Sequence, residues 1–254
     1  MTVHFIGAGP GAADLMTLRG RDIIAAAPVC LYAGSLVPRE ILGWCPPGAR
    51  LVDTAAFDLD AILAEILAAH ALGHDVARLH SGDPSLYSAM AEQMRRLDAA
   101  GIPYEVTPGV PAYAAAAAAL RRELTVPGVG QTVILSRISA ASTPMPPGED
   151  LASLAGMAGT LVLHLAVQQI DAVTRHLTVH HDPATPVAVV ANASRPDELV
   201  LRGSLATIAD LVRATGVIRS AVIIVGDVLT ADQFPDSHLY SPGRCRAPLG
   251  STDA

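Results

Sequence analysis

Gly7, Gly9 and Ala12 in FIGAGPGAADLMTLRG (residues 5–20) have the G-x-G-x-x-G/A spacing by which a strand-to-helix turn brings backbone close to a bound pyrophosphate. A dinucleotide fold also needs a carboxylate at the end of the second strand, about 20 residues further on, to hold the ribose hydroxyls. Here that strand reads VCLYAGS and carries no acid; Asp22 sits in the preceding helix and Glu40 lies well beyond. Pro10 also removes one backbone N–H that a pyrophosphate would use. These residues argue against an NAD-dependent oxidoreductase and leave a tight connection or a close-approach turn for another ligand.

Two further stretches have the same character. LHSGDPSLYSA (79–89) and TPGVPAY (107–113) each follow a strand pattern and are rich in Gly and Pro. Ligands of open parallel sheets bind beyond the carboxyl ends of the strands, so three such loops describe one rim and a shaped pocket. All 17 basic residues are arginine, which excludes a P-loop lysine, a pyridoxal-phosphate Schiff base and a lysine general base. Cys30, Cys45 and Cys245 show neither C-x-x-C nor C-x-x-H spacing, so neither a disulfide framework nor a structural zinc site is expected. The adjacent His180 and His181 lie in a loop-like HHDPAT and point different ways on regular structure. No metal is expected.

The elements that position these loops alternate from end to end. Strand patterns VHFIG, VCLYA, RLVD, DVARLHS and YEVT are separated by helical patterns at 17–27, 59–72 and 85–100. In the second half QTVILSR, TLVLHLA, PVAVVAN, ELVLRGSL and AVIIVGDV follow, with a helix near 205–214. The class is α/β, and the apolar continuity of the first five strands suggests a sheet covered on both faces. A proline turn, an alanine run and a second Pro-Gly turn between Pro108 and Gln131 mark the domain junction. The expected division is 1–115, 116–240 and a flexible tail 241–254.

The net charge of -7 over 254 residues argues against a surface built to grip nucleic acid. No apolar stretch reaches the ~20 residues needed to cross a bilayer. No basic segment with an apolar h-region precedes VHFIGA, and a soluble, cytoplasmic protein is expected.

The sequence resembles the tetrapyrrole methylase family, whose S-adenosylmethionine-dependent members carry a GxGPG turn with a following LxTLRG-like segment, a GDP loop and a PGV turn. IGAGPGAADLMTLRG, SGDPSLYSA and TPGVPAY occur here in that order, and TLVLHLA, PVAVVANASRPDE and AVIIVGDV continue the likeness over nearly the whole chain. CLYAGSLVPREIL and ELTVPGVGQTVILSRIS are similar to segments of members that methylate precorrin-4 at C11 in cobalamin biosynthesis. Gly128 and Gly130 stand where related enzymes often carry Glu and Ser, and Pro111 replaces a hydroxyl residue.

The resemblance implies two αβα domains with an active-site cleft between them, a homodimer, and S-adenosylmethionine as cofactor with S-adenosylhomocysteine as its product. The cofactor contacts it implies are Pro10, Ser81, Gly82, Asp83, Leu86, Pro111, Ala112, Leu165, Ala193 and Ala221. Methyl transfer from a sulfonium expels a neutral leaving group, so alignment within a dry cleft is expected to dominate. His80, Tyr113 and His164 lie beside the motifs and are candidates for proton handling. A precorrin carries many carboxylates, for which Arg19, Arg121, Arg122, Arg137 and Arg195 are candidate partners. A sibling methylase acting at another ring position or on a cobalt substrate shares these cofactor motifs, and a non-catalytic tetrapyrrole carrier would share the fold.

Overall fold

Val3–Gly7 (β1), Val29–Tyr32 (β2), Arg50–Asp53 (β3), Val76–His80 (β4) and Tyr104–Thr107 (β5) pair in parallel in the order β3-β2-β4-β1-β5. This is seen in a computed structural model that describes residues 1–139 and 143–240. Alternate side chains leave opposite faces of a strand, and both faces are apolar here. Ile6, Cys30, Ala77 and Leu79 pack with Ile24 of α1 (Leu18–Ala26) and Ile41 of α2 (Arg39–Leu42). Val3, Phe5, Leu31 and Val76 pack with Ile62, Leu63 and Ile66 of α3 (Leu59–Ala71) and Leu97 of α4 (Met90–Ala100). A central strand covered on both sides has no room for polar alternation, and β4 is buried at every position.

The helices begin where their caps allow. Thr17 accepts from Gly20 N ahead of α1 and Asp58 accepts from Ala61 N ahead of α3, each satisfying a donor the first turn cannot pair internally. The sequence pattern starts a helix at Ser85, but α4 starts at Met90 because Tyr87 and Ala89 take left-handed backbone at φ 52°. Left-handed residues cannot continue a right-handed helix. The alanine run forms α5 (Ala112–Leu120), as its propensity demands.

The second sheet comprises Val133–Arg137 (β6), Thr160–His164 (β7), Pro186–Ala191 (β8), Leu199–Ser204 (β9) and Ala221–Val225 (β10), in the order β6-β7-β10-β8-β9. It is mixed: β6 runs parallel to β7, and β10 antiparallel to it. Leu161, Leu163, Val187, Val189, Ile223 and Val225 share one core with α6 (Leu151–Ala155), α7 (Ile170–Leu177) and α8 (Ile208–Thr215).

The chain divides into two compact units, Met1–Ala119 with Val190–Val200, and Leu120–Val189 with the residues from Leu201 on. This differs from a single cut after residue 115. The alanine helix runs on to Leu120, and the β8–β9 connection joins the first unit, where Ser194 Oγ accepts from Ala12 N at 2.9 Å. The expected tail 241–254, with Cys245, lies outside the described residues. No helix among the described residues is long and apolar enough to cross a membrane.

Candidate active site

Because the first sheet is parallel, the turns after β1, β4 and β5 leave it from one edge. Gly9 and Gly82 bond reciprocally, Gly9 N to Gly82 O at 3.2 Å and Gly82 N to Gly9 O at 2.7 Å. A Cβ on Gly109 would stand 2.7 Å from Gly7 Cα and closer still to Gly82 O, so only glycine lets these three backbones touch. A Cβ on Gly82 would lie 3.7 Å from Ala112 N and 3.8 Å from Pro111 Cα. The three turns are one joined rim.

Asp83 fastens it. Its Oδ2 accepts from Gly109 N at 2.8 Å, and its Oδ1 accepts from Ser85 N at 2.8 Å and from Ser85 Oγ. Burial raises its pKa, but these hydrogen bonds outweigh that and hold the carboxyl below its ordinary range. The sequence suggested a ligand acceptor or a cap for the following helix; α4 begins seven positions on behind Ala89 and receives no side-chain cap. Within the protein Asp83 is a clasp between the GDP loop and the PGV turn rather than a cap of α4.

The connection after β8 completes this part. A Cβ on Gly11 would meet Arg195 Cγ at 2.5 Å and Ala193 O at 3.0 Å, so Ala193 and Arg195 lie directly on the glycine turn. Arg195 Nη2 donates to Leu36 O at 3.3 Å. Pro10, Ser81, Gly82, Asp83, Leu86, Pro111 and Ala193 thus lie on loops of the first unit, and Ala112 at the start of α5 in the same unit. Leu165 and Ala221 belong to the second unit, after β7 and at the start of β10. Leu165 has φ 54° and is 70% exposed. A bulky residue in that region is strained, and such strain concentrates at functional sites.

The candidate proton carriers fare unequally. His80 is 5% exposed, and burial, with Arg78 nearby, lowers its pKa to about 3 against a hydrogen bond to the Ser88 backbone. It is neutral at physiological pH and its Nε2 has no hydrogen-bond partner, so a cationic acid role is not supported. Burial also lowers the pKa of His164. Tyr113 lies half-buried in the first turn of α5.

Among the arginines, Arg122 donates to Ala231 O at 2.9 Å and Asp232 Oδ1 at 3.1 Å, and Arg137 donates to Ile138 O, Thr143 O and Pro144 O. Both are occupied holding their own unit together. Arg121 is exposed at the left-handed end of α5. Arg19 shares a groove with His4, Asp22 and Asp75, where two carboxylates disfavour an anionic substrate. Arg195 alone of the five lies on the joined rim.

The residue that sequence reasoning missed is Arg78, 5% exposed on the central strand. Nη1 donates to Thr54 Oγ1 at 2.8 Å and Nε to Gln93 Oε1 at 3.2 Å, both neutral acceptors. Burial lowers its pKa to about 10. The signal was present: an arginine inside the otherwise apolar VARL run. Cys30 and Cys45 face each other in the core beneath α2; the contact with Cys45 and burial push the Cys30 thiol up. No cluster of three or more His, Cys, Asp or Glu suited to a metal occurs among the described residues.

This joined rim of glycine turns, a clasping Asp and small residues agrees with comparison to known proteins. The family model described as Tetrapyrrole (Corrin/Porphyrin) Methylases matches residues 2–209. The chain is a member of that family. It is 62% identical over 246 residues to the precorrin-4 C(11)-methyltransferase of Rhodococcus erythropolis, covering 97% of this chain and 99% of that one. A solved cobalt precorrin-4 methyltransferase superposes with a TM-score of 0.87 at 38% identity, over 90% of this chain and 95% of the other. The uroporphyrin-III C-methyl transferase of Thermus thermophilus, solved with S-adenyl homocysteine, gives 0.74 at 28% identity, over 90% and 93%.

Proposed function

We propose that this tetrapyrrole methylase transfers a methyl group from S-adenosylmethionine to C11 of precorrin-4, giving precorrin-5 in cobalamin biosynthesis. The observation that carries the reading is the joined rim: backbone of three loops brought together by glycine, as recognition of a cofactor through main-chain groups requires. The 62% identity to a precorrin-4 C(11)-methyltransferase supports the substrate. The likeness to a cobalt precorrin-4 methyltransferase favours one second reading, the same reaction on the cobalt-bearing macrocycle.

The residues fit the cofactor. Pro10, Gly82, Pro111, Ala112 and Ala193 put small residues on the rim, Gly82 at φ 68°, with Ser81, Asp83 and Leu86 beside them; Leu165 and Ala221 are the candidates that the resemblance implies in the second unit. When bound, the cofactor supplies an electrophilic methyl on a sulfonium that departs as a neutral thioether, so no strong acid is asked of the protein. The rim's contribution is alignment: the glycine contacts and the Asp83 clasp fix the loops before ligand arrives, which lowers the ordering cost of binding. Arg195, fixed on the rim by Leu36 O, is the candidate for a substrate carboxylate. His80 contributes a neutral ring to the floor of the GDP loop. A homodimer, as the family resemblance implies, working in the cytoplasm completes the reading.

The test is calorimetric titration with S-adenosylhomocysteine and, in parallel, NADH, followed by transfer of labelled methyl to metal-free and cobalt precorrin-4 with NMR location of the product. Binding of S-adenosylhomocysteine alone and label at C11 is the expected result. Binding of NADH alone, or label at another carbon, overturns it.

A further inference from the structure

The turn between the GDP loop and α4 is strained twice within three residues. Tyr87 and Ala89 both have φ 52° without being glycine, a conformation that persists only where its surroundings hold it. The surroundings are a chain of buried polar groups. Gln93, 3% exposed on α4, donates from Nε2 to Ala89 O at 3.0 Å, while its Oε1 accepts from Arg78 Nε at 3.2 Å. Arg78 is held from its other side by Thr54 Oγ1, itself on a residue 4% exposed. Ser88 Oγ donates to Pro84 O, and the Ser88 backbone takes the hydrogen bond from His80. Every backbone carbonyl named here lies between Pro84 and Ala89.

We propose that Arg78 and Gln93 form a buried latch that holds Tyr87–Ala89 in its left-handed conformation and thereby preorganises Leu86 for S-adenosylmethionine. They act as positioning residues, since neither is exposed enough to touch a ligand. The latch explains why an arginine is kept in an apolar core opposite neutral partners. Its two hydrogen bonds orient the Gln93 amide so that NH2, not the carbonyl, faces Ala89. The proposal rests on the reading of the GDP loop as a cofactor loop.

Gln93→Glu separates the latch from the fold. The carboxylate gives the buried Arg78 an opposite charge but cannot donate to Ala89 O, so folding is retained while the turn loses its restraint. The expected result is a melting temperature at or above that of the wild type, with S-adenosylhomocysteine bound about tenfold more weakly, the equivalent of one lost hydrogen bond. Ala89→Gly added to Gln93→Glu removes the Cβ that makes φ 52° costly, and affinity should return to within about threefold of wild type without a change in melting temperature. Wild-type affinity in Gln93→Glu, or no recovery in the double variant, overturns the latch. Failure of the wild type to bind S-adenosylhomocysteine would instead overturn the cofactor reading, and so is read first. Should Gln93→Glu not fold, Gln93→Leu with and without Ala89→Gly gives the same comparison: recovered affinity supports the latch, and none refutes it.

Discussion

Replacing Gly109 by alanine tests the joined rim at its tightest point. The added Cβ would stand 2.7 Å from Gly7 Cα and 2.8 Å from Gly7 C, and closer to Gly82 O; all three are backbone atoms with no rotamer to yield. Overpacking of this kind costs about 1–3 kcal/mol. Moving the turn away also breaks the bond from Gly109 N to Asp83 Oδ2, a charge-assisted contact of about 1.5–3 kcal/mol. The cheaper outcome is an opened rim rather than an unfolded sheet, because β1, β4 and β5 keep their pairing beneath it. Opening relieves the overlap at the expense of that bond, so where the overlap exceeds the bond by about 1.4 kcal/mol the competent population falls to roughly one in ten and the apparent Kd for S-adenosylhomocysteine rises about tenfold. Calorimetry gives the affinity, and a thermal melt checks that the fold is retained. Gly156→Ala is the control, since a Cβ there meets nothing nearer than His180 Nδ1 at 3.9 Å. Equal affinity in Gly109→Ala and the control would refute the argument that glycine is needed for the loops to meet.

Asp83→Asn should lower the melting temperature at pH 7, because an amide oxygen replaces only one of the two carboxylate oxygens that hold Gly109 and Ser85. Since the folded carboxyl titrates below its ordinary value of about 3.9, its contribution is complete above that value and is lost as pH falls through the folded pKa. The difference between wild type and variant, followed by melts from pH 7 to pH 3, should therefore shrink only at the acid end. His80, held near pKa 3 against an unfolded value of about 6.5, makes the unfolded chain bind more protons between those limits. Stability should then be unaffected by this group above pH 6.5 and decline below it by at most about 1.4 kcal/mol per pH unit, and His80→Asn should flatten the denaturant-measured slope between pH 6 and 4. Arg195→Ala should raise the KM for precorrin-4 by about tenfold or more, as loss of a charge-assisted contact does. Arg122→Ala should leave that KM unchanged and shift only the melting temperature, because its partners are Ala231 O and Asp232; steady-state kinetics on the two variants decides between them.

The strands of the first sheet were legible from two signals: β1 and β4 are almost wholly buried, while the exposed edge strands β3 and β5 stood out as short extended runs between turn residues. VHFIG, RLVD and YEVT coincide with β1, β3 and β5 residue for residue, and a short β-branched or apolar run bounded by turn residues has few alternatives. The start of α4 was not legible, because SLYSAMAEQ satisfies a helical period and only the left-handed Tyr87 and Ala89 break it. The proposed latch holds those conformations from Gln93 and Arg78, which local propensity does not register. The glycine, GDP and PGV turns could be found as motifs, but that Asp83 joins two of them depends on the sheet closing the 26-residue separation from Gly109. Likewise Arg122 and Arg137 could be counted as available cations until their carbonyl acceptors were visible, while Arg78 passed as an unremarked letter in a core strand.

The distribution of chemistry around the rim makes a point about how such a site works. The Asp83 carboxylate is committed to three donors, His80 is neutral, and the buried arginine serves a neighbouring amide. What remains to act on a ligand is backbone shape, fixed in advance by Gly7, Gly82 and Gly109 and by strained turns at Tyr87 and Ala89. A reaction that needed a strong acid or base would be poorly served. Methyl transfer from a sulfonium needs mainly that two atoms be held in line, for which rigidity is the relevant currency. It follows that sensitivity to substitution should run opposite to the usual expectation for an active site: adding a single methyl to Gly109 should cost more than removing the ionisable ring of His80. If His80→Asn proved the more damaging to the chemical step at saturating ligand, proton handling would have to return to the account.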